Sequence, residues 1–92
     1  MTMEERLQTF MEFHQHHPEI YQGIVKLSRE MKMRGMTQWG MQAAFEVLRF
    51  QWVLQYRRTD FKVNNNFRSY YSRFIMEHEP DLEGFYEIRT QR

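Results

Sequence analysis

The chain has 92 residues, of which 41% are hydrophobic and 27% charged, with a formal net charge of +1 and no cysteine. This length and composition predict a single globular domain spanning residues 1–92 and exclude wholesale disorder. The lack of cysteine excludes disulfides, thiolate metal sites and a cysteine nucleophile, and it is typical of a reducing cytosol.

The first half of the chain predicts two helices. Thr2 opens a capping box with the glutamate three residues later, and apolar residues then recur at helical spacing, which predicts helix 1 over residues 3–15. Pro18 ends that helix and suits the first position of the next. Helix 2 therefore begins at Pro18 and ends before Gly35, a residue typical of helix C-termini.

Helix 3 is predicted from Met41 to about Arg57. It carries apolar residues on more than one side, so we expect it to lie centrally in the fold. Its main apolar stripe is widened by a second set of residues. The stripe consists of Met41, Ala44, Phe45, Leu48, Trp52 and Tyr56, and the residues that widen it are Val47, Phe50 and Leu54.

Two short alternating segments flank a fourth helix. Residues 61–63 and 85–90 alternate apolar with polar side chains, and we expect them to pair as a small antiparallel ribbon. Helix 4 is predicted over 67–78, and residues 80–84 form a turn. The predicted fold class is therefore mainly α, with three to four helices and a minimal two-stranded β element, resembling a winged helix.

The charges are arranged in blocks along the chain. Residues 26–34 are mostly basic, residues 49–73 carry six basic side chains against Asp60 alone, a balance of +5, and residues 77–87 carry five acidic side chains. Two outcomes remain open. The basic middle forms a cationic face, or the acidic and basic blocks fold against each other and cancel.

Three consecutive asparagines precede helix 4. Asparagine tolerates left-handed backbone and caps helices, so the triplet predicts a sharp corner. In one interpretation, helices 3 and 4 form a helix-turn-helix, the tail is a wing, and helix 4 contacts DNA, with amides reading adenine and arginines reading guanine or holding phosphates. The contact residues would then be Asn64, Asn65, Asn66, Arg68, Ser69, Ser72 and Arg73, with Lys62, Arg57 and Arg58 on the backbone.

Two other interpretations of this corner remain. The asparagines serve only to cap helix 4 and tie down the neighbouring loop, or the arginines and tyrosines bind an acidic partner protein. The connection from Arg57 to Asn66 is also longer than the three or four residues of a helix-turn-helix.

Catalytic and metal-binding patterns are absent from the sequence. There is no glycine-rich phosphate loop, nucleophile elbow or Ser/His/Asp spacing, so we expect neither an enzyme nor a cofactor. His14 and His17 lie three residues apart, but Pro18 ends the helix there, and we expect exposed histidines instead of a metal site. The acidic residues after position 76 are interpreted as a solvated turn.

The eight methionines and the 16% of aromatic residues exceed what a core of this size readily hides. This surplus favours a protein-binding surface and makes a homodimer a further candidate. The sequence contains no apolar run long enough for a membrane span and no secretory signal at its start. We therefore expect no membrane partner and a cytoplasmic location.

A series of short motifs extends over residues 39–89, a little over half of the chain. It resembles a pattern in small proteins encoded by bacteriophages and prophages, except that Gly40 replaces an expected serine. The resemblance implies a phage or mobile-element origin and action inside a host cell, and it brings no catalytic residues. The motifs are Trp39-Gly40, Phe45-Glu46-Val47-Leu48-Arg49, Phe61-Lys62-Val63-Asn64-Asn65-Asn66-Phe67, Tyr71-Ser72-Arg73, Met76, Pro80 and Gly84-Phe85-Tyr86-Glu87-Ile88-Arg89.

Two functions follow as hypotheses. The first is a small phage-type DNA-binding protein that uses the Asn/Arg/Tyr helix as its contact surface, motivated by the basic middle of the chain. The second is a phage-encoded inhibitor that binds and blocks a host protein, such as a CRISPR or restriction nuclease complex. The surplus of methionines and aromatics, together with the phage resemblance, motivates the second.

Overall fold

The computed structural model describes residues 2–57 and 67–87, and its described backbone is mainly helical. The predicted helices are confirmed to within one or two residues at their ends, and the predicted turn contains one short 3-10 helix. The elements are α1 (Met3–His16), α2 (Pro18–Met33), α3 (Met41–Tyr56), α4 (Phe67–His78) and the 3-10 helix Pro80–Leu82.

The helix ends follow from the capping residues that the sequence indicates. The Thr2 hydroxyl accepts a hydrogen bond from the Glu5 backbone N–H at 3.2 Å, which satisfies one of the free donors at the start of α1. Pro18 is the first residue of α2. Gly35 follows α2 with a φ of +100°, a left-handed conformation that costs glycine little.

The predicted two-stranded ribbon is not supported. Within residues 2–57 and 67–87 there is no β-strand, only an isolated parallel bridge between Trp39 and Tyr86. The Trp39 N–H donates to the Phe85 carbonyl and the Glu87 N–H donates to the Trp39 carbonyl, both at 3.0 Å. Residues 85–87 thus pair with the segment before α3, and the β element of the winged-helix-like prediction is not supported. Residues 61–63 and 88–90 lie outside the described residues.

Aromatic rings form the contact between α1 and α4. Phe10 is fully buried, and its ring lies 4.8 Å from that of Tyr71, edge to face, and 5.6 Å from that of Phe67. Tyr70 and Phe74 complete the ring contacts of Phe10 with α4. These geometries are the favourable ones for aromatic pairs. Phe13 and His14 add ring contacts with α4, so α1 is fixed on α4 by a cluster of rings centred on Phe10.

A buried serine joins three parts of the chain. The Ser28 hydroxyl donates to the Ile24 carbonyl at 2.7 Å, so its oxygen is free to accept from other donors. The Trp39 indole N–H lies 3.3 Å from that oxygen and the Tyr86 hydroxyl 2.5 Å from it. Burial raises the pKa of Tyr86 to about 12, which keeps this phenol protonated and able to donate. The C-terminal segment is thereby attached to α2.

The hydroxyl of Tyr71, unlike that of Tyr86, is buried without a hydrogen bond to any described residue. Its side chain is fully buried, its hydroxyl has no hydrogen-bond partner in the described part of the chain, and burial raises its pKa. Because a buried, unpaired hydroxyl costs free energy, we expect Tyr71→Phe to leave the free energy of unfolding unchanged or to raise it by up to about 1 kcal/mol. Tyr86→Phe is the matched control and should lower it by about 1 kcal/mol. Urea titration measures both, and a clear destabilisation by Tyr71→Phe would contradict this assignment.

Candidate functional site: the outer faces of α3 and α4

Two basic residues of α2, Arg29 and Lys32, contact the acidic C-terminal block. The Arg29 guanidinium contacts Glu79 at 2.8 Å and Asp81 at 3.0 Å, and Lys32 Nζ donates to the Asp81 carbonyl. The hydrogen bond from Arg29 lowers the pKa of the Asp81 carboxyl. Tyr21 donates to the other oxygen of Glu79. Of the two outcomes for the charge blocks, mutual cancellation therefore applies to Arg29 of α2, whose guanidinium contacts two carboxylates.

One predicted contact residue of α4 is placed in the core. Ser72 is only 2% exposed, and its hydroxyl donates to the Arg68 carbonyl one turn earlier at 2.9 Å. The prediction that Ser72 faces outward is wrong, because Ser72 lies on the same side of α4 as the buried residues Tyr71 and Ile75.

Arg68 lies at the side of α4 that meets α3. It is half-buried, and its Nη1 donates to Gln42 Oε1 at 2.7 Å. Ser69 and Arg73 are exposed one turn apart, and the exposed Glu77 follows one turn later. The solvent face of α4 therefore holds only two of the predicted residues, Ser69 and Arg73, and its one arginine lies a turn before a glutamate.

The remaining predicted contact residues are placed as follows. Arg57 ends α3 in a left-handed conformation with a φ of 54°, and it is exposed. The others lie outside the described residues: Arg58, Lys62, Asn64, Asn65 and Asn66.

The relation between α3 and α4 differs from that in a helix-turn-helix. Gln42 in the first turn of α3 binds Arg68 in the first turn of α4, and the rings of Phe45 and Tyr71 lie 5.8 Å apart. Tyr56, at the far end of α3, is about 21 Å further along the helix axis than Gln42. In a helix-turn-helix, the second helix instead begins beside the end of the first. Helix 4 is thus not placed as that motif requires.

Helix α3 has a second apolar stripe, directed to solvent. We define the outer stripe as Ala43, Val47, Phe50 and Leu54. Phe50 is 65% exposed and Leu54 66%, although both are large apolar side chains. Val47 is half-buried against the core and Ala43 is exposed.

The outer stripe lies almost opposite the core-facing residues of α3. The core-facing residues Met41, Phe45 and Leu48 are buried. Since each residue of a helix advances the side-chain direction by about 100°, Phe50 and Leu54 point away from them. The prediction that α3 is central is therefore wrong in part, because one face is buried and the other is open. The spacing of the outer stripe, four, three and four residues, was visible in the sequence, but periodicity alone did not show that it faced solvent.

The exposed apolar surface of α3 is bordered by basic side chains. Arg49 and Arg57 are exposed on this helix, and Val53, at 37% exposure, widens the apolar surface between them. Exposed large apolar residues grouped on one face mark interaction surfaces more often than single scattered ones do.

Comparison with known proteins supplies no relative from which a site could be transferred. No protein-family profile, no curated protein and no solved structure matches the chain. Among the helices of the described ranges, none has the length and apolar character that crossing a membrane requires. The described His, Asp and Glu residues form no group of three or more that could hold a metal ion.

Proposed function

We propose that this protein acts by binding another protein through the outer stripe of α3. The supporting observation is the pair Phe50 and Leu54, two large apolar side chains one turn apart that are each about two-thirds exposed. Burying each of these side chains against a protein partner would contribute on the order of 1–2 kcal/mol to the free energy of binding. Phenylalanine and arginine are also enriched in protein interfaces relative to the rest of the surface.

The resemblance to phage and prophage proteins is consistent with this proposal. A small phage protein that inhibits a host defence complex needs a surface that anchors in a partner, and no catalytic group.

The proposal is tested with a double variant, Phe50→Gln with Leu54→Gln. Both side chains are exposed, so we expect the melting temperature to change little, while binding to any protein through this face is lost. The measurement is the size of the tagged protein by gel filtration of nuclease-treated lysate, after chemical cross-linking in the intact cells that carry its gene. The wild type should elute in a complex larger than its own 11.6 kDa, and the double variant as a free chain.

The matched control is Ser69→Ala with Arg73→Gln, on the solvent face of α4. It should leave the complex intact. If the wild type elutes as a free chain, or if the double variant stays in the same complex, then the outer stripe is not the binding surface.

DNA binding remains a second candidate, supported by the exposed cations. In the ranges that the structure describes, Arg49, Arg57 and Arg73 form no ion pair with a carboxylate, unlike Arg29. With the basic residues of 58–66, they could neutralise phosphates without base-specific contacts. If this is correct, retention on immobilised DNA should fall steeply with salt and should weaken in Arg68→Ala and Arg73→Ala. Retention that does not change with salt, or that is equal in wild type and variants, would exclude it.

A further inference from the structure

We infer that the protein seated on the outer stripe is a second copy of this chain, bound with its α3 antiparallel to the first. This inference rests on the proposed function, since it names the partner of the same surface. The two copies are related by twofold symmetry, their α3 helices pack in one defined register, and one pair of opposite charges forms at each end of the contact.

The spacing of the outer stripe is that of a coiled-coil contact. Residues four, three and four positions apart repeat the heptad pattern with which two helices pack side by side. Placed antiparallel, the stripe is complementary to itself. Ala43 lies opposite Leu54 of the second copy, and Val47 lies opposite Phe50 of the second copy. Each layer thus pairs a small side chain with a large one, and twofold symmetry repeats each pair.

The same register brings opposite charges together at both ends of the contact. Arg57 follows Leu54 by three residues, which continues the heptad spacing, and its counterpart on the second copy is Gly40. Glycine leaves this position open, and the Glu87 carboxylate lies beside it, with Oε2 3.7 Å from where a Cβ on Gly40 would stand. Arg57 of each copy therefore approaches Glu87 of the other, and both side chains are exposed in the single chain.

The size of the contact indicates a weak dimer. Phe50 and Leu54 offer on the order of 250 Å² of apolar surface per copy, and two paired helices of four turns bury about 1,000 Å² in total. That total is near the lower limit for a specific interface. We accordingly expect a dissociation constant on the order of 10 µM.

The first test is sedimentation equilibrium of the purified protein between about 1 and 200 µM, a range that brackets this dissociation constant. The expected mass rises from 11.6 kDa toward twice that value. A constant mass of 11.6 kDa would overturn the inference. If the complex in lysate nevertheless persisted and depended on Phe50 and Leu54, the proposed function would still stand with a different protein as partner.

The second test examines the charge pair. Arg57→Glu and Glu87→Arg should each weaken dimerisation by about tenfold, because each places like charges together. The double variant restores opposite charges and should return to within about threefold of the wild type. Single variants that do not weaken the dimer, or a double variant weaker than both, would reject this register.

The third test determines the orientation by cross-linking, which is straightforward because the chain has no cysteine of its own. Ala43→Cys and Leu54→Cys proteins, mixed and oxidised, should form a disulfide between the two different variants. Leu54→Cys alone should form little. Rapid cross-linking of Leu54→Cys with itself would indicate a parallel dimer and contradict the inference.

Discussion

Phe10→Ala is expected to be among the most destabilising substitutions in the protein, lowering the free energy of unfolding by about 3–5 kcal/mol. Phe10 is fully buried and contributes ring contacts to Phe67, Tyr70, Tyr71 and Phe74. Removing the ring leaves a cavity between α1 and α4, which adds to the burial energy that is lost. Since domains of this size have a total stability of about 5–15 kcal/mol, the substitution should remove a large fraction of it.

The control for Phe10→Ala is Leu7→Ala, one turn earlier on the same helix. Leu7 is 49% exposed, so its truncation should cost less than about 1 kcal/mol. Both substitutions introduce alanine, and the parent residues leucine and phenylalanine differ in helix propensity by only about a few tenths of a kcal/mol. Urea denaturation followed by circular dichroism measures both, and equal effects at the two positions would contradict the packing described for α1.

Ser28→Ala is the second large effect that we expect, at about 2–4 kcal/mol. The substitution removes the acceptor of two buried donors, the Trp39 indole N–H and the Tyr86 hydroxyl. Each buried donor left without a partner costs about 1–3 kcal/mol, whereas the lost serine bond to its own helix costs little. The C-terminal segment should loosen before the helices do, so its backbone amides should exchange faster in hydrogen exchange.

A double variant distinguishes the free energy lost with the hydrogen bonds of Ser28 from the free energy lost through altered packing. Tyr86→Phe removes one of the two orphaned donors, so Ser28→Ala with Tyr86→Phe should cost less than the sum of the single substitutions by about 1 kcal/mol or more. Strict additivity would show that the hydroxyl pair contributes nothing to the stability of the fold.

The helices were predictable because their ends carry local signals. Thr2 and Pro18 fix their neighbours through capping and ring geometry, and both effects act within a few residues. The pairing of Tyr86 with Trp39 was not predictable in this way. It joins residues 47 positions apart, and the alternation of the tail indicates extended backbone without indicating its partner.

In the candidate site, too, the sequence predicted which residues are present but not which way their side chains face. The sequence identified the arginines near α4, but the direction of Ser72 and Arg68 depends on how α4 rotates against its neighbours. Because α3 is apolar on two faces, its composition could not tell which face is buried. The role of the asparagine triplet and the phage resemblance remain predictions, since 64–66 lie outside the described residues and no protein-family profile, curated protein or solved structure matches.

If the proposed function is correct, a protein covers the outer stripe of α3 when this molecule acts. A comparison of thiol labelling at two single cysteines, made with a membrane-permeable reagent in intact cells that overproduce the protein, tests this directly. Gln51→Cys lies beside the stripe, Ser69→Cys lies on the solvent face of α4, and both parent residues are exposed in the chain alone. We expect Gln51→Cys to react about tenfold more slowly than Ser69→Cys, because contacts around an anchored residue exclude water and reagent. Equal reaction rates at the two positions, with the fold intact, would contradict the claim.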